Sequence, residues 1–117
     1  MDTIQPFPIV KDIVLTRGGD WHETINLFED DKVTPKNSTG YSMTMIILSA
    51  HQNGEVYDTL SVANGKIIHT PASGQFNLNL TAAEIDGYEF VNAVRRIVLD
   101  DGAGNLTPLL IGNVGVV

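Results

Sequence analysis

Three histidines, fourteen acidic residues and no cysteine bound the chemistry open to this chain. His22, His51 and His69 sit in separate segments, without the His-x-His or His-x-x-x-His spacing that sets two imidazoles on one ion. Each has a plainer reading: a polar strand face for His22, a polar turn beside Gln52-Asn53 for His51, a strand end for His69. The pairs Asp30-Asp31 and Asp100-Asp101 bring carboxylates together, but neither follows the ligand positions of a calcium loop. Both fall where turns are expected, and there Asp accepts hydrogen bonds from its own backbone. Gly18-Gly19 lacks the Gly-Lys-Ser/Thr and the following helix of a phosphate loop. Ser, His and Asp all occur without a Gly-x-Ser-x-Gly elbow, so a triad would have to assemble in space. No catalytic residue, cofactor site or metal ligand emerges from spacing.

Binding chemistry is equally sparse. Arg95-Arg96 is the one adjacent basic pair, and on a strand the two side chains leave opposite faces. With 7 basic residues against 14 acidic and a net charge of −7, a phosphate-binding surface over the whole molecule is excluded. No nucleic-acid partner is expected. The aromatics are few and scattered over many segments; Trp21, at the start of a strand, is expected to anchor the core rather than line a sugar site. The absence of Cys removes disulfides, thiolate catalysis and Cys-built zinc sites, and fits folding in a reducing cytoplasm. The longest apolar run, Met45-Ile46-Ile47-Leu48, falls far short of the roughly 20 residues of a membrane span, so no membrane partner is expected. The start, MDTIQPFPIV, does not read as a secretory signal, which empties the three glycosylation sequons at Asn37, Asn79 and Asn105 of meaning.

The elements that would carry these residues are strands. Trp21, Glu23, Ile25 and Leu27 alternate with His22, Thr24 and Asn26. Tyr41, Met43, Met45 and Ile47 do the same, as do Phe76, Leu78 and Leu80. Period-2 alternation buries one face of a strand and wets the other. Turn residues separate the runs: Gly18-Gly19-Asp20, Pro35–Gly40, Asn53-Gly54, Asn64-Gly65 and Asp101–Asn105. Asn64-Gly65, between Thr59–Val62 and Lys66–His69, predicts a type I′ hairpin. About eight short strands at this spacing predict an antiparallel sandwich or small barrel, with a Greek-key or meander order. Thr81-Ala82-Ala83-Glu84 has the form of a capping box and predicts a helix of one or two turns, stopped by Asp86-Gly87. Length and composition, 117 residues with 43% hydrophobic, fit one folded domain.

The two ends differ from the middle. Residues 1–10 hold Pro6-Phe7-Pro8, which resists helix and central strand alike, so we expect an extended arm ahead of a single domain at 11–117. The last residues, Ile111 to Val117, read as an apolar final strand paired in its own sheet or covered by a neighbouring subunit. The candidate protein contacts are therefore Ile4, Pro6, Phe7, Pro8 and Ile9 in the arm, and Asn113, Val114, Val116 and Val117 at the end.

Four stretches, taken in order, resemble a family of small virion domains of tailed bacteriophages. They are Leu15-Thr16-Arg17-Gly18-Gly19-Asp20-Trp21, Ser38 to Met45, Gly74 to Glu84, and Leu109 to Val116. In that family an Arg-Gly-Asp-like turn opens a strand, a Ser-Thr-Gly turn opens the next, Leu-Thr-x-x-Glu marks a helical corner, and Leu-Leu-x-Gly-x-Val-x-Val closes the chain. This chain carries Tyr88-Glu89-Phe90 where the family shows a Tyr-x-Tyr-Asp-like strand. The resemblance implies an immunoglobulin-like β-sandwich of about seven to nine strands. It also implies a non-enzymatic structural protein of the virion, made in the host cytoplasm, acting as an adaptor in the tail, baseplate or fibre attachment. The expected partners are other phage structural proteins and copies of itself. Two alternatives remain open at this point: a capsid decoration protein, and a carbohydrate-binding host-attachment module.

Overall fold

The computed structural model describes residues 9–50 and 54–117. The expected contacts Ile4, Pro6, Phe7 and Pro8, together with His51 and Asn53, lie outside the described residues. Among the described residues, nine strands form two sheets: β1 (Ile9–Val10), β2 (Ile13–Leu15), β3 (Trp21–Asn26), β4 (Ser42–Leu48), β5 (Val56–Ser61), β6 (Ile67–Thr70), β7 (Gln75–Leu80), β8 (Asn92–Asp100) and β9 (Leu106–Val116). The larger sheet runs β1-β9-β8-β4-β5, with β2 also on β9; the smaller runs β3-β7-β6. The chain passes between the sheets after β2, β3, β5 and β7, so the core forms from strands distant in sequence.

Alternation is realised as burial. Met43, Met45 and Ile47 of β4 meet Phe76, Leu78 and Leu80 of β7 in one core with Leu15, Leu60, Ile67, Ile97, Val114 and Val116. Trp21 packs on that core, as expected of an anchor. Each aliphatic side chain buried there contributes roughly 1.5–3 kcal/mol of transfer free energy. The helical corner forms as read: in α1 (Ala82–Asp86) the Thr81 side chain accepts from the Glu84 amide while the Glu84 carboxylate accepts from the Thr81 amide.

Two features depart from the expectations. Asn64-Gly65 does not close a hairpin, because β5 pairs with β4 in one sheet and β6 with β7 in the other. Gly65 alone takes a positive φ of 82°; Asn64 instead braces the crossing, its Oδ1 accepting from Ser61 N and Lys66 N and its Nδ2 donating to Thr59 O. The pattern of the dipeptide fits an I′ turn, but neighbouring strands with buried faces on opposite sheets overrule it. Second, pairing is not wholly antiparallel: β1 and β2 run parallel to β9, in the register Ile9↔Leu110 and Leu15↔Val116. The strap Lys11-Asp12 joins them and passes so close to β9 that a Cβ at Gly112 would overlap the Lys11 carbonyl oxygen.

Candidate functional site

The described residues assemble no catalytic constellation, and no group of three or more His, Asp or Glu among them could hold a metal ion. Ser38 Oγ does lie 2.7 Å from His69 Nε2. Ser38 is fully buried, though, and its hydroxyl also reaches Pro71 O at 3.3 Å. His69 stacks on Phe76 with ring centroids 4.1 Å apart, and burial pushes its pKa below the ordinary value. A sealed hydroxyl beside a neutral imidazole braces the Ser38 turn; no substrate could reach it. His22 pairs with Asn79 across the polar face at 2.6 Å. The acidic pairs are turns: Asp31 accepts from the amides of Val33 and Thr34, and Asp101 from those of Ala103 and Asn105.

The strongest charge arrangement is inside the sandwich. Arg95 of β8 is 1% exposed, and its Nη1 lies 3.2 Å from both carboxylate oxygens of Glu23 on β3, in the opposite sheet. Its Nη2 donates to Lys11 O at 3.1 Å, so one guanidinium ties both sheets and the strap. Sequence reading placed Arg95 and Arg96 on opposite faces, and so they are, but it did not find this ion pair. The signal was there: Glu23 shares a face with Trp21, Ile25 and Leu27, and Arg95 shares one with Ala93 and Ile97. Opposite charges on two apolar faces each need a partner.

A second cluster lies where β5, β6 and α1 meet. Lys66 Nζ pairs with Asp58 at 3.1 Å and Glu84 at 2.9 Å, and Tyr88 Oη donates to Asp58 at 2.6 Å. Burial works against the Lys66 charge, but hydrogen bonds to Glu84 and Asp58 outweigh it and raise the pKa. The Thr81 amide, then Lys66, lowers that of Glu84. Burial first, then Asp58, pushes the Tyr88 phenol above its ordinary range. Beside this cluster Phe90 stacks on Tyr57 with centroids 4.6 Å apart and on Tyr88 at 4.9 Å. Aromatics scattered in the sequence are thus gathered in space, with Glu55 and Glu89 on the rim of the same depression.

The expected contact residues divide. Val114 and Val116 point into the core at 1% and 5% exposure, which leaves their side chains nothing to offer a partner. The alternation of β9 decides this, since both follow the inward register of Leu110. Asn113, Val117 and Ile9 are exposed. On the outward side of the large sheet, register aligns Val10, Ile111, Arg96 and Ile46 in one row across four strands. Leu48, Val94 and Asn113 form the next row. Between them lies a depression of about 370 Å³ lined by Val10, Asp12, Leu48, Val94, Arg96 and Ile111.

Comparison with solved structures decides the fold. The immunoglobulin-like domain of mouse leukocyte-associated immunoglobulin-like receptor 1, solved as a strand-swapped dimer, matches with a TM-score of 0.50 at 12% identity, over 100% of this chain and 98% of that one. The fold is immunoglobulin-like. The N-terminal domain of phage TP901-1 ORF48 matches with a TM-score of 0.49 at 11% identity, over 91% of this chain and 84% of that one. The N-terminal Ig1-2 module of the Drosophila receptor protein tyrosine phosphatase DLAR matches with a TM-score of 0.48 at 13% identity; 89% of this chain is covered, which spans 43% of that module. No protein-family profile matches the chain, and no curated protein sequence does.

Proposed function

We propose that this chain is a non-enzymatic structural protein of a tailed-phage particle, an adaptor or connector in the tail, baseplate or fibre-attachment region that works by protein–protein assembly. The observation that carries the reading is where the resembling stretches fall. Three of the four converge at one end of the sandwich. Asp20 Oδ1 accepts from Ala82 N at 2.7 Å and Asp86 Oδ1 accepts from Gly18 N at 2.8 Å, joining the Arg-Gly-Gly-Asp turn to the helical corner. Leu15 pairs with Val116, joining the same turn to the final strand. The motifs form one connected unit, as motifs of a shared architecture should. Assembly suits the rest of the surface: the outer edges of β3, β5 and β6 offer main-chain groups for strand addition. The arm residues Ile4, Pro6, Phe7, Pro8 and Ile9, with Asn113 and Val117, remain the proposed terminal contacts.

The test is particle composition. Quantitative mass spectrometry of purified virions should find tens of copies per particle, and a chain lacking residues 1–9 should fail to incorporate. Hundreds of copies would favour a capsid decoration protein, and absence from the particle would sink the virion reading. A carbohydrate-binding role has one observation in its favour, the gathering of Tyr57, Tyr88 and Phe90 beside two carboxylates. Strong glycan-array binding that is lost in Tyr57→Ala would make it the better reading.

A further inference from the structure

The outward face of the large sheet is mixed: Ser42, Thr44, Thr59, Ser61, Asn92 and Arg96 lie on it, but a patch of apolar side chains interrupts them. Met43, Met45 and Ile47 of β4 face the core, yet Ile46 and Leu48 alternate with them and face outward. The same holds for Val94 and Val98 of β8, while Val10, Val14 and Ile111 stand 70%, 62% and 38% exposed beside them. A contiguous apolar patch of this kind marks a contact surface.

We infer that this face is an isologous homodimer interface, in which a second copy of the chain packs sheet against sheet. This pairing rests on the assembly reading above and gives it a partner. Charge selects the occupant. The depression at its centre is lined by Asp12, Arg95 and Arg96; Arg95 is buried and already paired with Glu23, which leaves Arg96 and Asp12 as its open charges. Among the described residues Arg96 has no ion-pair partner. Asp12 uses Oδ1 to accept from Asn113 N, at 2.8 Å. A two-fold axis lying in the interface midway between these residues sets Arg96 of each copy opposite Asp12 of the other. Among the other described acidic residues, Glu23, Asp58 and Glu84 are in ion pairs, Asp31 and Asp101 accept from their own turns, and Asp100 lies opposite Ser42 at the end of the face. Size fits a dimer of micromolar affinity. Strands of 2, 11, 9, 7 and 6 residues, at about 3.4 Å per residue and about 4.8 Å between strands, give roughly 570 Å², the size of a weak interface.

The experiment is sedimentation velocity on the full chain from about 1 µM to about 500 µM, where a Kd in the micromolar range becomes visible. Wild type should pass from monomer to dimer. Arg96→Glu and Asp12→Lys should each weaken the dimer by about tenfold or more, and an equimolar mixture of the two should restore it, because the swapped charges are again complementary. Asp12→Asn keeps the acceptor for Asn113 and separates loss of charge from damage to the strap. Ile111→Glu, on β9, gives a second monomeric variant if Asp12→Lys does not fold. A wild type that stays monomeric throughout, single variants that dimerise like wild type, or a mixture that restores nothing would overturn the inference. None of these depends on the particle test, since the dimer forms from the chain alone.

Discussion

At the scale of single residues, Arg95 and Glu23 dominate because their pairing crosses the core. Glu23 comes from the smaller sheet and Arg95 from the larger, and the guanidinium also holds the strap through Lys11 O. Removing one partner of a buried pair strands the other charge, at a cost of about 3–5 kcal/mol, whereas replacing both by apolar residues is often neutral. Glu23→Ala should therefore cost about that much in urea denaturation, while Glu23→Ala with Arg95→Met should recover most of it. A single-variant loss below about 1 kcal/mol would show that water already screens the pair. The sequence marks both residues as misfits on apolar faces. It cannot mark them as partners, because 72 positions separate them and only the stacking of the two sheets brings them together. The same holds for Tyr57 of β5, which stacks on Phe90 in the segment between α1 and β8, 33 positions away in sequence.

At the scale of elements, the period-2 strands and the capping box are legible because each is local: alternation and a side chain reaching its own helix end need no distant partner. The Asn64-Gly65 crossing is not local, since the choice between hairpin and sheet change is made by which faces β5 and β6 must bury. The corner helix α1 joins both kinds of information. Glu84 caps its N-terminus and also binds Lys66 in the loop before β6. Thr81→Ala should cost about 1 kcal/mol, as loss of an N-cap does. The acid response follows from lowered pKa values: those of Asp31 and Asp101, held down by hydrogen bonds within their own turns, and those of Glu84 and His69. Glu84 sits below its ordinary 4.5 in the fold, so its stabilisation is present above that value and lost as pH falls through the folded one. His69 sits below its ordinary 6.5, so the unfolded chain takes up its proton first and stability also falls as pH drops through that value. Urea midpoints from about pH 8 to about pH 3 should fall in two stages; Glu84→Gln should shrink the lower stage, to which Asp31 and Asp101 also contribute, and leave the upper one intact. A Glu84→Gln profile parallel to wild type would refute the role given to Glu84.

At the scale of the whole molecule, the question is how the chain ends serve both the fold and its neighbours. The N-terminal strands are not equivalent. β2 places Ile13 and Leu15 in the core and pairs with β9 through Leu15↔Val116, so it closes the sandwich from below the strap. β1 adds two exposed residues, Ile9 and Val10, at the sheet margin. The described core is complete without anything before Ile13. Removing residues 1–8 should thus leave the urea midpoint within about 0.5 kcal/mol of wild type, the range of changes remote from the core. Removing residues 1–15 should unfold the chain, because it empties two core positions and exposes the edge of β9, the longest strand. Circular dichroism and denaturation of the two truncations decide between them. A large loss from the shorter truncation would mean that the arm packs on its own domain, and the proposed terminal contact would then be a part of the fold. Retained stability would leave that segment free to serve a partner, with the strap and β2 fixing the point from which it departs.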